Sequence, residues 1–265
     1  MIDTPEKQAE APRPNEDRTS RNVWWIVGGI TCGVVLLLAA AAAGVWIWTV
    51  SSPEETETHT EEFDRTVAGV DVAVEIGDIE LNASDSAALV LERKTRWRGN
   101  EPEPDESWQG DTFTAVGSCD DDLVFWWDGE ECEVDYTLAL PSGAAAEATN
   151  AVGDVRMNGL DGPIDIETSV GVIEGDDLRA NETDVESSVG SIRLDYAEVR
   201  GDINVIAGTG DVEIIVPDDG TTYAVQFDSG VGGQTIDIAT DSQTRADYVI
   251  TVTTSVGDLS VRYAD

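Results

Sequence analysis

From Val23 to Val50, 28 consecutive residues carry no charge and are apolar almost throughout. A helix needs about 20 residues to cross a bilayer core, so this run predicts one transmembrane α-helix. Trp24 and Trp25 mark one end and Trp46 and Trp48 the other, where aromatic rings anchor a span at the membrane interfaces. A cleaved signal peptide is the competing reading, with an apolar core of only about 7–15 residues. Ala39 to Ala43 offer small residues for cleavage, but Val45 to Val50 carry the apolar run past them. The span therefore reads as an uncleaved anchor.

Beyond the span the period drops to two. Val70, Val72 and Val74 alternate with other residues and lead into Gly77-Asp78-Ile79-Glu80-Leu81. The same figure returns as Gly153-Asp154-Val155, Gly162-Pro163-Ile164, Gly190-Ser191-Ile192, Gly201-Asp202-Ile203, Gly210-Asp211-Val212 and Gly257-Asp258-Leu259. Gly153, Gly162 and Gly171 fall nine residues apart. A strand of five residues plus a turn of four fills such an interval, with glycine as the turn residue. The aliphatics after each glycine bury one face and the polar residues wet the other. Stacked copies would form a ladder with an aliphatic interior, so the chain from 65 to 265 is predicted to be an all-β, β-solenoid-like domain. A β-sandwich of regular short strands fits the same alternation and stays open as the alternative.

The remaining segments follow from this frame. Residues 1–22 are polar and proline-bearing, and are expected to be a disordered tail. Residues 51–64, rich in Ser, Pro, Glu and Thr, read as an extended acidic stalk. Residues 99–112 read as a long loop. Leu123 to Trp127 and Val134 to Leu140 read as strands about an Asp128-Gly129 turn.

Charge adds topology. Lys7, Arg13, Arg18 and Arg21 precede the span, while Arg65 is the first cation after it. The positive-inside rule then puts the N-terminus in the cytoplasm and residues 51–265 outside. The net charge of −39 repels nucleic acid and anionic lipid. One basic cluster stands out, Arg93, Lys94, Arg96 and Arg98 around Trp97. It reads either as an anion or glycan contact or as cations paired with nearby carboxylates. If the outer compartment is oxidising, Cys119 and Cys132 could pair, which would contribute about 3 kcal/mol in the chain-entropy picture. Two free thiols are the alternative.

Tyr136-Thr137-Leu138-Ala139-Leu140-Pro141-Ser142-Gly143, followed by the glycine-aspartate repeats, resembles the bacterial β-strand-repeat "putative adhesin" family, a domain of unknown function. Ile214-Ile215-Val216-Pro217 and Ser229-Gly230-Val231-Gly232 continue the likeness over roughly 65–265. The resemblance implies a solenoid-like outer domain behind a membrane anchor, and brings no catalytic residue. The acidity and the Cys119–Cys132 insertion depart from it.

Catalytic and metal signatures do not emerge. His59, the one histidine, falls in the expected stalk, where no base would be held for a Ser-His-Asp arrangement. Asp120, Asp121, Asp122, Asp128, Glu130 and Glu131 lack the spacing of a calcium loop and read as solvated surface. No cofactor, metal or catalytic residue is expected. The expected function is a non-enzymatic, single-pass envelope protein whose outer domain is an adhesion or interaction surface for a partner the sequence does not name. The alternative is an envelope-stress sensor or modulator that binds cationic peptides. Oligomeric state is not readable. Protease added to intact cells is expected to remove the 51–265 domain; protection of that domain would reverse the orientation.

Overall fold

The computed structural model describes residues 18–50, 54–98, 101–119 and 131–264. It divides into two compact units, Met1–Ser52 and Pro53–Asp265.

The first unit holds one helix, α1 (Arg18–Val50). Its apolar window, Val27–Val45, is 19 residues long with mean hydropathy 2.1 and no buried side chain. That is long and apolar enough to cross a membrane. The helix starts inside the tail expected to be disordered. An established helix gains one hydrogen bond per added residue, and nothing from Arg18 to Asn22 is a proline or glycine that would stop it. Residues 1–17, the rest of that tail, lie outside the described residues. So do the side chains of Val23, Trp24, Trp25, Trp46, Trp48 and Val50.

The second unit holds nineteen described strands in two sheets. In chain order they are β1 (Glu55–Phe63), β2 (Gly69–Ile76), β3 (Ile79–Ser84), β4 (Leu89–Arg98), β5 (Asp105–Gln109), β6 (Thr112–Gly117), β7 (Glu131–Pro141), β8 (Ala145–Val152), β9 (Val155–Asn158) and β10 (Ile164–Val170). They continue as β11 (Ile173–Leu178), β12 (Thr183–Val189), β13 (Ile192–Tyr196), β14 (Ile203–Thr209), β15 (Val212–Val216), β16 (Tyr223–Val231), β17 (Gln234–Asp237), β18 (Tyr248–Val256) and β19 (Leu259–Tyr263). The ten-stranded sheet runs β1-β4-β7-β3-β9-β11-β13-β15-β19-β17, and the nine-stranded sheet β16-β18-β14-β12-β10-β8-β2-β6-β5. One coil contributes one strand to each sheet, as β8 with β9 or β10 with β11, and successive coils pair in parallel. This is the solenoid-like arrangement. A single core fills the space between the sheets, built from in-register aliphatics such as Ile166, Val185 and Val205 on one side and Ile173, Ile192 and Val212 on the other.

The winding is not sequential at either end. The coil β2/β3 lies between β8/β9 and the strands β6 and β7, and β18/β19 lies between β14/β15 and β16/β17. The first and last coils of the chain are thus held on both sides, where a plain solenoid would leave them as fraying edges.

Two expected segments differ. Residues 55–63 are not a stalk: β1 pairs antiparallel with β4 from Glu55↔Trp97 to Phe63↔Leu89. Thr56, Thr58 and Thr60 favour an extended strand. Across the ladder Thr58 faces Lys94 and Thr56 faces Arg96. The described part of the expected loop, residues 101–112, is not a plain loop either. β5 and β6 form a hairpin about Gly110 and Asp111, with Gln109 opposite Thr112. Trp108 makes that strand worthwhile: it packs on Phe63 and Phe113 at centroid distances of 5.4 and 5.2 Å, with the Arg65 guanidinium 4.1 Å from its ring centre. The strand Val134 to Leu140 lies within β7, while Leu123 to Trp127 and the Asp128-Gly129 turn lie outside the described residues.

The repeat glycines separate into two corners. Gly77, Gly153, Gly171, Gly190, Gly210, Gly257 and Gly232 stack where the chain leaves the nine-stranded sheet. Gly162 and Gly201 stand at the opposite corner, over the carbonyls of Ala144 and Asn181. A Cβ at Gly190 would lie 1.7 Å from the Gly171 carbonyl oxygen, and φ there is +150°. Both the contact and the backbone require glycine. Asn150, fully buried beneath this corner, donates from Nδ2 to the Gly77 carbonyl at 2.9 Å. Gly190→Ala is expected to cost more than about 2 kcal/mol in denaturant unfolding, a backbone strain plus a clash with main chain. Gly233→Ala, whose Cβ would meet nothing nearer than 3.7 Å, is the control expected to be nearly silent.

Candidate interaction surface

The aspartates that follow the corner glycines are not simply a wet face. Asp78 Oδ1 accepts from the Asp154 backbone N–H at 2.9 Å, and Asp154 Oδ1 accepts from Val172 N–H at 3.0 Å. Asp211 and Asp258 repeat the contact, accepting from Asp258 N–H and Gly233 N–H at 2.9 and 2.7 Å. In four coils a carboxylate thereby ties the next coil's backbone, a charge-assisted bond to an otherwise spare donor, while Val172 and Ser191 hold that place in the coils β10/β11 and β12/β13.

The two outer faces then differ in electrostatics. Across the ten-stranded sheet, Glu80, Arg156, Glu174, Arg193 and Glu213 follow one another in register. Arg156 reaches Asp154 at 2.7 Å, Asp78 at 3.4 Å and Glu174 at 3.6 Å. Arg193 pairs with Glu213, which also accepts from Arg262 Nε at 2.9 Å. Hydrogen bonds from Arg262 and Arg193 hold the Glu213 carboxyl below the usual carboxylate range. Opposite charges in direct cross-strand pairs stabilise a sheet, so this face is charge-balanced.

No strand of the nine-stranded sheet contains a lysine or arginine. Asp71, Glu147, Asp165 and Asp184 stand side by side in register across it. Asn204 ends the row, donating from Nδ2 to Asp184 Oδ1 at 2.9 Å. Glu167 and Glu186 form a second such pair. Partial burial, with Asp71 and Asp165 beside it, pushes the Glu147 carboxyl up.

The basic cluster is divided by the pleat of β4. Arg93 and Trp97 face inward, and Trp97 is only 7% exposed. Arg93 forms an ion pair with Glu106 of β5, joining the two sheets, and the Tyr136 hydroxyl donates to the same carboxylate at 3.3 Å. Burial and Glu106 push that phenol up, so it stays protonated. Lys94, Arg96 and Arg98 share the outer face. Arg96 pairs with Glu133 and, at 3.3 Å, Asp135; Arg98 is engaged as well. For the anion or glycan contact read from the cluster, Trp97 offers no open ring face, because its side chain is buried. Arg93 and Arg96 of the cluster pair with local carboxylates.

His59 is held in β1 opposite Arg93, not in a stalk, with Nε2 3.5 Å from Glu61 Oε2. His59, Glu61 and Glu106 bring ligand-type atoms within 4.8 Å of one another. Arg93 already neutralises Glu106, and a guanidinium in that position opposes a cation. Sequence reasoning missed this group because it assigned residues 51–64 to a stalk. Cys119 and Cys132 form a disulfide with Cα atoms 5.9 Å apart, linking the end of β6 to β7; Cys32 is a free thiol in α1. Asp120, Asp121, Asp122, Asp128 and Glu130, and the Glu131 side chain, lie outside the described residues.

Residues 133–262 match the family described as Toastrack DUF4097. They are a Toastrack domain. The Toastrack match begins at Glu133, although β2 and β3 lie inside the same stack of coils. No curated protein matches this sequence. Among solved structures, the chain is similar to a "putative cell adhesion protein" from Clostridium sporogenes, with 12% identity and a TM-score of 0.48 over 80% of this chain and 100% of that one. It is also similar to a "putative adhesin" from Bacteroides fragilis, with 11% identity and a TM-score of 0.32 over 78% and 97%.

Glu147 supplies a test of the acidic face. Its folded pKa is raised, so the folded state holds its proton to higher pH than the unfolded chain does. The resulting penalty is absent at acid pH and develops as pH rises through the folded pKa. Glu147→Gln is expected to raise Tm at neutral pH, with the gain vanishing in acid and shrinking in high salt. A gain independent of pH would contradict the like-charge account.

Proposed function

We propose that this chain is a non-enzymatic, single-pass envelope protein with a cytoplasmic N-terminus. Its Toastrack-containing domain lies outside and offers a rigid adhesion or interaction surface. The observation that carries this reading is the division of labour between the two sheets. On one face every acid and base in the central row has a partner across the ladder. On the other, an in-register row of carboxylates has no cation on any strand. Like charges directly opposite one another cost stability, and a face that carries that cost is suited to contact outside the chain. The 19-residue apolar window of α1 supports the anchor, and the lysines and arginines preceding it support the orientation.

In-cell cross-linking of the full chain, followed by identification of the adducts, tests the reading. Adducts joining residues 65–265 to envelope or surface molecules are the expected outcome. Adducts confined to the helix, with none on the β domain, would sink it.

A further inference from the structure

An aliphatic ridge runs the length of the solenoid. Ile76, Val152, Val170, Val189, Val256 and Val231 each precede a corner glycine and are 42% to 67% exposed. They lie in register on neighbouring strands, with Thr209 between Val189 and Val256. Six strand spacings make the ridge about 29 Å long. Soluble surfaces rarely carry a run of exposed aliphatics of that kind, broken here only at Thr209, without a partner.

The ladder itself does not require aliphatics here. Thr209 occupies the same place, pairs with Val189 and Val256 on either side, and is followed by the same glycine turn. A polar β-branched side chain therefore suits the position, and the other six are not explained by folding alone.

What flanks the ridge identifies its occupant. On one side stand Asp78 and Asp154 toward one end and Asp211 and Asp258 toward the other, with Val172 and Ser191 in the same place between them. On the other side lies a shelf of small residues, Ala151, Ser169, Ser188, Gly208 and Ser255. Beyond the shelf come Glu167 and Glu186, on the sheet whose strands hold no cation. A second copy of this chain would bring a second set of aspartates against the first, and an anionic lipid surface would be repelled likewise. A segment with aliphatic side chains flanked by lysine or arginine satisfies both the ridge and its acidic borders.

We propose that this ridge is the docking surface of the β domain and that its partner is a cationic, amphipathic polypeptide segment lying along the solenoid axis. The inference rests on the interaction-surface reading above and names the place and the partner chemistry. The aliphatics supply affinity through burial, and the acids supply attraction and orientation.

The test uses the full chain in nanodiscs of zwitterionic lipid, with signals from empty discs subtracted. The probes are a synthetic amphipathic leucine–lysine peptide and an oligolysine of equal charge. The leucine–lysine peptide is expected to bind about tenfold or more tightly than oligolysine, the worth of one or two buried aliphatic contacts. The triple substitution Val152→Thr, Val170→Thr, Val189→Thr copies what Thr209 already does. It is expected to abolish that preference while leaving oligolysine binding and Tm in place. Equal binding of the two peptides, or a preference that survives the triple substitution, overturns the proposal. So does self-association of the wild type that the triple substitution removes, which would assign the ridge to a second copy. The two readings fail separately: envelope adducts that persist in the triple variant reject the ridge and leave the interaction surface standing.

Discussion

Backbone meets backbone at the corner where each coil leaves the nine-stranded sheet. At Gly190 and its neighbours the carbonyl of one glycine sits where the next glycine's Cβ would be. That contact sets the coil-to-coil distance at the strand spacing, so both sheets continue in register on either side. The aspartates beyond the glycines reinforce the same approach by accepting the next coil's N–H. Glycine removes the steric obstacle and aspartate satisfies the exposed donor. The core follows, because in-register coils bring Ile166, Val185 and Val205 into one column.

In-register stacking also decides the surface. Any residue type at a given place in the coil is multiplied into a row across the sheet. On the ten-stranded face the central row alternates arginine and glutamate, which pair with one another. On the nine-stranded face the row from Asp71 to Asp184 adds like to like. At the corner it turns single valines into a ridge. The charge of −39 is therefore not spread evenly, and the wound chain gives the molecule two chemically different faces.

Residues read singly in the sequence change meaning once the ladder is closed. Arg93 and Trp97 look like members of a surface cluster, but the period of β4 turns them inward toward Glu106 and the core. His59 looks like part of a stalk, yet the threonines around it pair with β4. In both cases local charge suggested solvent, and a strand partner outside the local window decided otherwise. The β5–β6 hairpin was readable in part, since Trp108 and Phe113 flank Gly110-Asp111, but the surrounding acids obscured it. Gly162 and Gly171 look equivalent at nine-residue spacing and occupy opposite corners.

By itself the sequence determined the uncharged helix-length run, the period-two alternation, the glycine turns and hence an all-β domain, solenoid-like or sandwich. These are local signals, written in residues a few positions apart. Tertiary structure alone decided that β2/β3 and β18/β19 are inserted between other coils, that one corner is a glycine column with an aspartate ladder, and that all arginines in the strands lie on one sheet. Strand order and facing are set by which coils pair. That pairing depends on the shared core and corner contacts of residues up to 76 positions apart, and no short window of sequence records it.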